Sequence, residues 1–339
     1  MTIKVLQGDC REVLKTMPDK TYHTCVTSPP YWGLRDYGTA TWIGGDPNCP
    51  HFRESHQSDK TITGHKKSVK HGGIGDSIYK DVCKQCGAKR IDSQLGLEET
   101  PQEYVANLVE VFREVRRVLR DDGTVWLNLG DSYSSGGRKT TTNQTVRGDT
   151  DYGVTRPPVY KGIKPKDLVG IPWRVAFALQ EDGWYLRQDI IWNKPNPMPE
   201  SVKDRCTKSH EYIFLLSKSK NYYFDNESIK EEAQDWGIRD RTNGKYHNEG
   251  TGLNPHSGLE NSYDTKNKRS VWTVSTKPYK EAHFATYPPD LIEPCILAGC
   301  PEDGNVLDPF GGAGTTGLVS DRLRRNATLI ELNKSYADI

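Results

Sequence analysis

Residues 306–316 read VLDPFGGAGTT, a short aliphatic run followed by a loop with three glycines. A loop of this kind between a strand and a helix lets the backbone approach a nucleotide-like ligand closely. Asp308 ends the predicted strand, and a second acidic residue, Glu331, ends the next hydrophobic run, ATLIEL at 327–332. Because a carboxylate at the tip of the second strand of a βαβ unit can hold two ribose hydroxyls, the stretch predicts a cofactor site in an α/β fold.

A second segment near the N-terminus, VTSPPYW at residues 26–32, also follows a β-branched run. Pro29 and Pro30 lack amide donors and fix φ, so the carbonyls of Ser28 and Pro29 stay available as acceptors. A rigid pair of acceptors beside Tyr31 is suited to gripping a planar amino group. A Pro-Pro pair alone is common in stiff turns, but its combination with a glycine loop and two acidic strand ends is more specific.

The hydrophobic periods along the chain predict alternating strands and helices. Strands are predicted at 3–6, 23–27, 124–130, 185–192, 211–217, 305–309 and 327–332, and helices at 11–17, 101–119, 168–181, 290–299 and 315–324. The helix at 101–119 has the clearest start, a capping box formed by Thr100 and Glu103. A turn is predicted at 121–123, and the expected final helix is truncated or absent. This alternation indicates a mostly parallel sheet covered on both faces, with ligands at the carboxyl ends of the strands.

Three stretches without a sustained period, 39–99, 132–166 and 225–270, interrupt this pattern, and loops of this length are usually functional. The formal net charge is only +1. Residues 53–90 carry nine Lys/Arg against four Asp/Glu, whereas residues 91–131 carry four against nine, so positive charge is concentrated in the insertions. Cationic loops suit phosphate contacts, although Lys-rich loops are equally common as solvated surface.

Composition limits the class of protein. A chain of 339 residues with 34% hydrophobic residues has room for one large α/β domain and a smaller module. No run approaches the roughly 20 apolar residues of a membrane span, and the N-terminus has no secretory pattern. We therefore expect a soluble cytoplasmic protein without a membrane partner, in which the eight cysteines are buried or bind metal and do not form disulfides.

Two pairs of residues have the spacing of a metal site. Cys83 and Cys86 lie in CKQCG, a zinc-knuckle type C-x-x-C that ends in glycine, and Cys49 with His51 forms a second pair upstream. Four ligands from two short turns would hold a structural Zn²⁺ and staple the 39–99 insertion, which has few apolar residues. The alternatives are reduced surface thiols without metal, or another histidine in place of His51, namely His56, His65 or His71.

In these motifs the chain resembles the amino-group DNA methyltransferases of restriction-modification systems and phages, with the motifs in the permuted order called the β class. VTSPPYW is similar to their catalytic motif, with Ser in the place of Asp or Asn, and VLDPFGGAGTT is similar to their S-adenosylmethionine loop. Further similar segments follow in the expected order: GDCREVL at 8–14, LRDDGTVWLNLGDSY at 119–133, WYLRQDIIWNKP at 184–195 and HFATYPPDLIEPCILAGC at 283–300. The resemblance implies a Rossmann-like S-adenosylmethionine-dependent methyltransferase fold that acts on double-stranded DNA.

The resemblance also implies roles for the TSPPY residues. The Ser28 side chain and the Pro29 carbonyl would accept the two N–H bonds of an exocyclic base amine and aim its lone pair at a methyl sulfonium. Ser28 is a feeble base, so orientation would carry the rate and the proton would leave after methyl transfer. Tyr31, placed by the rigid Pro30, would stack on a base taken out of the duplex, and Trp32 would support that wall or pack in the core.

The implied cofactor residues lie around the strand ends: Asp9, Asp308, Phe310, Gly311, Gly314, Thr315 and Glu331. Asp308 would face the methionine ammonium directly or through water, the glycines would admit the adenosyl moiety, and Glu331 would bind the ribose hydroxyls. The phenyl ring would pack against the cofactor or the core. Asp9 would lie near the adenine ring, although as a bare sequence feature it reads as a helix N-cap. Thr315 and Thr316 either contact the cofactor or cap the helix.

By analogy with this family, the stretch at 225–270 is expected to recognise the DNA sequence. The candidates are Arg239, Arg241, Asn243 and Lys245. Arginine to guanine and asparagine to adenine are the usual base-edge pairings, although solvated loop residues have the same composition. The predicted organisation has four parts. A catalytic part lies at 1–38 and 100–224, a basic zinc-stapled insertion at 39–99, a recognition region at 225–270, and a cofactor-binding part of the same α/β domain at 271–339.

The function predicted on this basis is site-specific methylation of cytosine N4 in DNA, because serine in the TSPPY motif favours cytosine. Adenine N6 is the alternative target. The competing classes are an RNA or protein-amide methyltransferase, against which the permuted order counts, and a non-catalytic DNA-binding module, against which the intact motifs count. A cognate restriction endonuclease and a monomeric or homodimeric enzyme are both compatible with the sequence.

Overall fold

The structure is a computed structural model that describes residues 1–33, 39–51, 82–134, 162–233, 264–276 and 287–338. Within these ranges the chain forms one eight-stranded sheet, two small sheets and six helices. None of these helices has the length and apolar character that a membrane span requires.

The eight-stranded sheet is mostly parallel. Its strands are β1 (Ile3–Gln7), β2 (Tyr22–Thr27), β5 (Leu119–Leu129), β6 (Tyr185–Asn193), β7 (His210–Ser217), β10 (Val271–Thr273), β11 (Asn305–Asp308) and β12 (Asn326–Glu331). The small sheets pair β3 (Thr41–Ile43) with β4 (Lys89–Ile91) and β8 (Glu231–Glu232) with β9 (Thr265–Lys266). In the large sheet the order is β1-β12-β11-β2-β5-β7-β6-β10, and β7 runs antiparallel to both of its neighbours. The predicted α/β class with a mostly parallel sheet is confirmed.

Helices cover both faces of this sheet, as predicted. They are α1 (Cys10–Lys15), α2 (Pro101–Val118), α3 (Ile171–Glu181), α4 (Pro289–Gly299), α5 (Thr315–Arg322) and α6 (Lys334–Ala337). Successive residues of β2 point to opposite faces, so Cys25 packs in the core under α1, α2 and α3, whereas Val26 packs in the core under α4 and α5. The two cores together fix the central strands from both sides.

The start of α2 shows how closely local sequence determines one element. The Thr100 hydroxyl accepts from the Glu103 amide at 3.2 Å, and the Glu103 carboxylate accepts from the Thr100 amide at 3.3 Å, which completes the predicted capping box. Leu108, Phe112 and Val115 on one face of the helix are fully buried. Truncation of a buried phenylalanine to alanine typically costs about 3–5 kcal/mol, so this face anchors the helix on the sheet.

The order of strands brings the two motif loops together. β11 lies between β12 and β2, and the parallel register pairs Val306 with Thr24 and Leu307 with Cys25. The loops that follow β2 and β11 therefore leave the same edge of the sheet side by side. Glu331 ends β12, the next strand along that edge.

The structure differs from the predicted elements at two boundaries. Residues 121–123 form no turn before the strand, because they belong to β5, where a step from Tyr22 to Thr24 in β2 is matched by a step from Leu119 to Thr124. The extra residues form a bulge. Helix α3 begins at Ile171, later than predicted, because the preceding Gly170 has a φ of 78°, a left-handed conformation outside the helix.

Candidate active site

A cavity of about 940 Å³ lies where the loops after β2 and β11 meet. Ser28, Pro29 and Tyr31 line one part of it, and Gly311 and Glu331 line another. The two segments from opposite ends of the chain therefore share one site, as the sequence predicted. This places an acceptor-bearing loop and a glycine loop around a single cavity.

The glycine loop brings bare backbone to the cavity. Gly311 donates its amide to the Ile330 carbonyl at 2.8 Å, and a Cβ added to Gly311 would lie 2.9 Å from the Cβ of Leu329. Gly312 has a φ of 51°, which disfavours any other residue. Gly314 has a φ of 80° and caps α5, so its role is to turn the chain into the helix, and it does not line the cavity.

Glu331 presents a partly occupied carboxylate at the end of β12. One oxygen accepts from the Gly312 amide at 2.8 Å and the other from the Asn333 amide at 2.7 Å. Each carboxylate oxygen has a further lone pair, so the group retains capacity for donors in the cavity. Burial raises the pKa of this carboxyl above its usual value, although the two amide bonds oppose the shift.

Asp308 lies behind the glycine loop instead of in the cavity, with only 1% of its surface exposed. Its carboxylate accepts from Thr27 Oγ1 at 2.6 Å, Phe310 N at 3.0 Å, Tyr287 Oη at 2.9 Å and Thr316 Oγ1 at 2.5 Å. Burial raises the pKa of Asp308, while these four donors work against the shift. Tyr287, to which the sequence analysis gave no role, lines the cavity in front of this carboxylate.

The remaining predicted cofactor residues divide between the cavity wall and local structure. Phe310 and Thr315 line the cavity, whereas Thr316 is buried against Asp308. Asp9 does both: it lines the cavity and caps α1, accepting from the Arg11 amide at 2.9 Å. Burial alone would raise the pKa of Asp9, but the hydrogen bonds from Arg11 lower it.

Ser28, Pro29 and Pro30 of the TSPPY loop line the cavity. The Pro30 carbonyl accepts from the Tyr104 hydroxyl at 2.8 Å. Among the described residues no donor is bonded to the Pro29 carbonyl. Ser28 is half-buried, and its Oγ lies 3.5 Å from the Tyr31 hydroxyl, a weak contact. The loop therefore offers the predicted pair of acceptors, one side-chain oxygen and one carbonyl.

Tyr31 is held by a polar network that the sequence analysis did not predict. Its hydroxyl donates to Glu211 Oε2 at 2.7 Å and lies 3.0 Å from Asn128 Oδ1. Its ring packs on Gly130, where an added Cβ would be only 2.4 Å from the ring. Burial and the nearby Glu211 charge raise the pKa of Tyr31 well above its usual value, so the hydroxyl stays a donor at neutral pH.

The network continues into two lysines. Lys194 forms an ion pair with the other oxygen of Glu211 and lies 4.1 Å above the Trp192 ring. Lys208 donates to the Asp131 carbonyl at 3.2 Å, and burial lowers the pKa of its ammonium. Both lysines line the cavity and bring positive charge next to the TSPPY loop. Trp32 is buried in the core, so it is a packing residue and not a wall of the site.

The signal for the missed residues was weak in the sequence. Glu211 starts an otherwise apolar strand, and Lys194 ends the stretch QDIIWNK, so each breaks a hydrophobic run at the edge where ligands bind. Asn128 is one of two polar residues, with Thr124, inside the buried part of β5. A search for polar residues at the carboxyl ends of all strands would have found Lys194; Glu211 lies on an antiparallel strand, whose amino end reaches the same edge.

The predicted metal ligands also come together. Cys49, His51, Cys83 and Cys86 place their ligand atoms within 4.8 Å of one another. This cluster lies in the small β3–β4 sheet, outside the cavity lining. The predicted DNA-recognition residues Arg239, Arg241, Asn243 and Lys245 lie outside the residues that the structure describes.

A sequence profile described as DNA methylase, of the N6/N4 type, matches residues 22–339. Among curated proteins, the type II methyltransferase M.SmaI of Serratia marcescens is 43% identical over 339 residues, which cover 99% of this chain and 88% of that protein. The type II methyltransferase M.Cfr9I of Citrobacter freundii is 42% identical over 335 residues, 99% of this chain and 85% of that protein.

Two solved structures share the fold. The PvuII DNA methyltransferase, described as cytosine-N4-specific, superposes with a TM-score of 0.58 at 17% identity, covering 99% of this chain and 84% of that one. A putative DNA modification methylase from Thermus thermophilus, complexed with S-adenosyl-L-methionine, gives a TM-score of 0.51 at 19% identity, covering 99% and 92%. These likenesses extend over the whole described sheet and its helices.

Proposed function

The chain belongs to the DNA methylase family, and we propose that it transfers a methyl group from S-adenosylmethionine to the exocyclic N4 amine of a cytosine at a specific site in double-stranded DNA. The observation that carries this proposal is the shared cavity. It places Ser28 and Pro29, which can accept the two protons of an amine, beside the glycine loop and the carboxylate of Glu331.

The residues around Glu331 fit the methyl donor. Glu331 would accept hydrogen bonds from the two ribose hydroxyls, since both of its oxygens have lone pairs left after the two amide bonds. Gly311 and Gly312 line the cavity, where their backbone would lie close to the adenosyl moiety, while the side of Gly311 that lacks a Cβ faces Leu329 in β12. The Tyr287 hydroxyl, which donates to the buried Asp308 carboxylate, would accept a hydrogen bond from the ammonium of the methyl donor. Asp308 would therefore act on the ammonium through Tyr287. When bound, the donor supplies an electrophilic methyl group on a sulfonium.

The TSPPY loop would prepare the nucleophile. An exocyclic base amine is a poor nucleophile because its lone pair is delocalised into the ring. Ser28 Oγ and the Pro29 carbonyl would accept its two N–H bonds, which localises the lone pair on nitrogen and directs it into the cavity. The nitrogen lone pair would attack the methyl carbon as the bond from that carbon to sulfur breaks, and the methylated amine would then release one proton to solvent, because Ser28 is too weak a base to take it.

Tyr31 would form the wall against which the extruded base lies. One side of its ring is packed on Gly130, and its hydroxyl is fixed by Glu211 and Asn128, so the ring cannot swing out of the site. A fixed aromatic face gives a base stacking energy of about 1–3 kcal/mol without the entropy cost of ordering the ring. The target base must leave the duplex to reach Ser28, and this face would hold it there.

Cytosine is favoured over adenine by the serine at position 28, since the family resemblance associates this form of the motif with cytosine. The fold likeness to a cytosine-N4-specific enzyme agrees with this choice, although it is a likeness of fold alone. The type II methyltransferases among the relatives support a role in restriction-modification, with an endonuclease of the same specificity as partner.

Mass analysis of nucleosides from methylated DNA tests the proposal. Plasmid DNA is incubated with the full chain and trideuteromethyl-labelled S-adenosylmethionine and digested to nucleosides, which are separated by liquid chromatography against standards before mass analysis, because N4-methylcytosine and 5-methylcytosine have equal mass. We expect labelled N4-methylcytosine. Labelled N6-methyladenine would transfer the reaction to the alternative base, and labelled 5-methylcytosine or no label would overturn the proposed chemistry.

A further inference from the structure

We propose that Cys49, His51, Cys83 and Cys86 bind one structural Zn²⁺, and that this ion fixes the segment of residues 92–98 that braces the TSPPY loop. Zinc binding is independent of the proposed function, whereas the role of the ion in supporting the TSPPY loop rests on that function. The four ligands lie outside the cavity lining, whereas Ser93, Gln94 and Leu95 of the braced segment line it.

Two of the distances within the cluster match the edges of a tetrahedral zinc site. Cys49 Sγ lies 3.7 Å from Cys83 Sγ, and His51 Nδ1 lies 3.5 Å from Cys86 Sγ. Bonds of about 2.3 Å to sulfur and about 2.0–2.1 Å to nitrogen in a tetrahedron give edges of about 3.8 Å and about 3.6 Å. The sulfur separation is far above the roughly 2.05 Å of a disulfide, so the two thiols are not joined to each other.

Each pair of ligands sits in a tight turn. In the first turn the Cys49 amide donates to the Asp46 carbonyl at 3.0 Å. In the second turn the Gly87 amide donates to the Cys83 carbonyl at 2.8 Å, and Gly87 has a φ of 74°. Such turns direct both cysteines of a C-x-x-C to the same side, as zinc knuckles require.

The two turns approach each other too closely for an added side chain. A Cβ on Gly45 would lie 2.8 Å from Cys86 Sγ and 2.9 Å from Ala88 Cβ. The antiparallel pairing of β3 with β4 sets this approach, with Trp42 opposite Arg90. The Trp42 ring stacks on the His51 ring at a centroid distance of 4.3 Å, which fixes the orientation of the imidazole. An oriented ring is a common feature of metal-bound histidine.

The described part of the zinc module, residues 39–51 and 82–91, has almost no hydrophobic core. Among the described residues of 39–51 and 82–91, only Cys83 and Ala88 are buried. A three-residue strand pair with so few buried side chains is not stable on its own. Zinc binding would supply the missing free energy, because binding at such a site is coupled to folding.

The chain that leaves β4 runs directly into the support of the TSPPY loop. The Gly96 carbonyl accepts from the Gly33 amide at 2.8 Å, and the Glu98 carbonyl accepts from Trp32 Nε1 at 3.0 Å. Gly96 also approaches Tyr31 so closely that an added Cβ would lie 3.0 Å from its carbonyl oxygen. A loss of order in the zinc module would therefore reach the residues that follow Pro30.

The test measures zinc in the full chain, purified without chelators, by inductively coupled plasma mass spectrometry. We expect about one zinc per chain for the wild type and less than about 0.1 for Cys83→Ser. The matched control is Cys206→Ser, because Cys206 is an exposed free thiol elsewhere in the chain, and it should keep the full zinc content. Wild-type protein without zinc would overturn the proposal, and this result does not depend on whether any variant folds.

Hydrogen exchange tests the second half of the proposal. Removal of zinc from the wild type with a chelator should speed amide exchange in residues 82–98 and in the segment 31–33, and leave residues 305–331 unchanged. S-adenosylmethionine affinity should stay the same, which separates a lost zinc site from a failure of the proposed function. Unchanged exchange in 92–98 and 31–33 after loss of zinc would show that the ion does not brace the loop.

Discussion

The two proposed sides of the cavity are built in different ways. The donor side, with Gly311, Gly312 and Glu331, would hold the methyl donor, and the base side, with Ser28, Pro29 and Tyr31, would hold the base. The donor side comes from one loop and the next strand end, and its main hydrogen bonds join Gly312 and Glu331 within a short stretch of sequence. The base side draws on Tyr31 after β2, Asn128 in β5 and Glu211 in β7. A local motif can therefore specify the donor side, whereas the base side depends on the packing of distant strands.

This difference predicts that the two sides fail separately. A change on the donor side should weaken cofactor binding, and a high cofactor concentration should restore the rate. A change on the base side should lower the rate at every cofactor concentration. Substitutions on each side of the cavity test this separation.

Ser28→Ala should have the largest effect. It removes one acceptor for the amine and leaves the glycine loop intact, so we expect kcat to fall about 30- to 1000-fold, or ~2–4 kcal/mol of barrier, with unchanged cofactor affinity. Radiolabelled methyl transfer and calorimetry measure the two quantities. The exposed Thr16 at the end of α1, outside the cavity lining, provides a control, since Thr16→Ala should leave both at wild-type values. Methylation by Ser28→Ala at the wild-type rate would exclude Ser28 from the mechanism.

Glu331→Ala should affect the donor side alone. It removes the acceptor for the ribose hydroxyls, and hydrogen bonds to a charged group are worth about 1.5–3 kcal/mol, so the Kd for S-adenosylmethionine should rise about 10- to 100-fold. Calorimetry measures this change directly. Glu331→Gln, which keeps one acceptor for the Gly312 amide, should lie between the two. An unaltered Kd would sink the assignment of the ribose contact.

Tyr31→Ala should weaken capture of the extruded base by about 1–3 kcal/mol. Fluorescence of 2-aminopurine at the target position reports this step. Tyr31→Phe and Glu211→Ala should each lower the rate by a smaller factor, and the loss in the double variant should be less than the sum of the two single losses, because both changes remove the hydrogen bond between Tyr31 and Glu211. Additive losses in this cycle would show that Glu211 does not act through Tyr31.

The pH dependence of donor binding should be a smaller effect of known sign. Burial raises the pKa of Glu331, so this carboxylate gains its proton at a higher pH than the ordinary glutamate value of about 4.3. Affinity for S-adenosylmethionine should therefore fall as the pH is lowered through this raised pKa, and the same titration of Glu331→Gln should be flatter. Parallel curves for wild type and Glu331→Gln would assign the pH dependence to another group.

The helices and the longer strands could be predicted because they carry their own local signals, whereas the two- and three-residue strands β3, β4, β8, β9 and β10 were not predicted. The capping box at Thr100, the alternation of strands with helices and the glycine loop all depend on neighbouring residues, and the structure confirms them. The metal ligands were equally legible, since the turns at Cys49 and Cys83 fix their own ligand spacing. Local sequence also explains the late start of α3, where Gly170 adopts a left-handed conformation.

The same local reasoning did not predict side-chain contacts between distant strands. Asp308 carries the right residue type at the right strand end, but four donors from four positions hold it behind the loop, with Tyr287 in front. Glu211 was missed because its partner, Tyr31, is 180 residues away. Contacts of this kind depend on strand order, and the position of β7 beside β5 has no local signal.

The most direct test of the separation is a single-turnover measurement of methyl transfer at saturating S-adenosylmethionine, made side by side on wild type, Ser28→Ala and Glu331→Ala. If the two sides of the cavity act as described, Glu331→Ala should return to within about twofold of the wild-type rate, while Ser28→Ala should stay at least about 30-fold slow. A Glu331→Ala enzyme that stays slow at saturation, or a Ser28→Ala enzyme that recovers, would contradict the assignment of donor and base to these two sides.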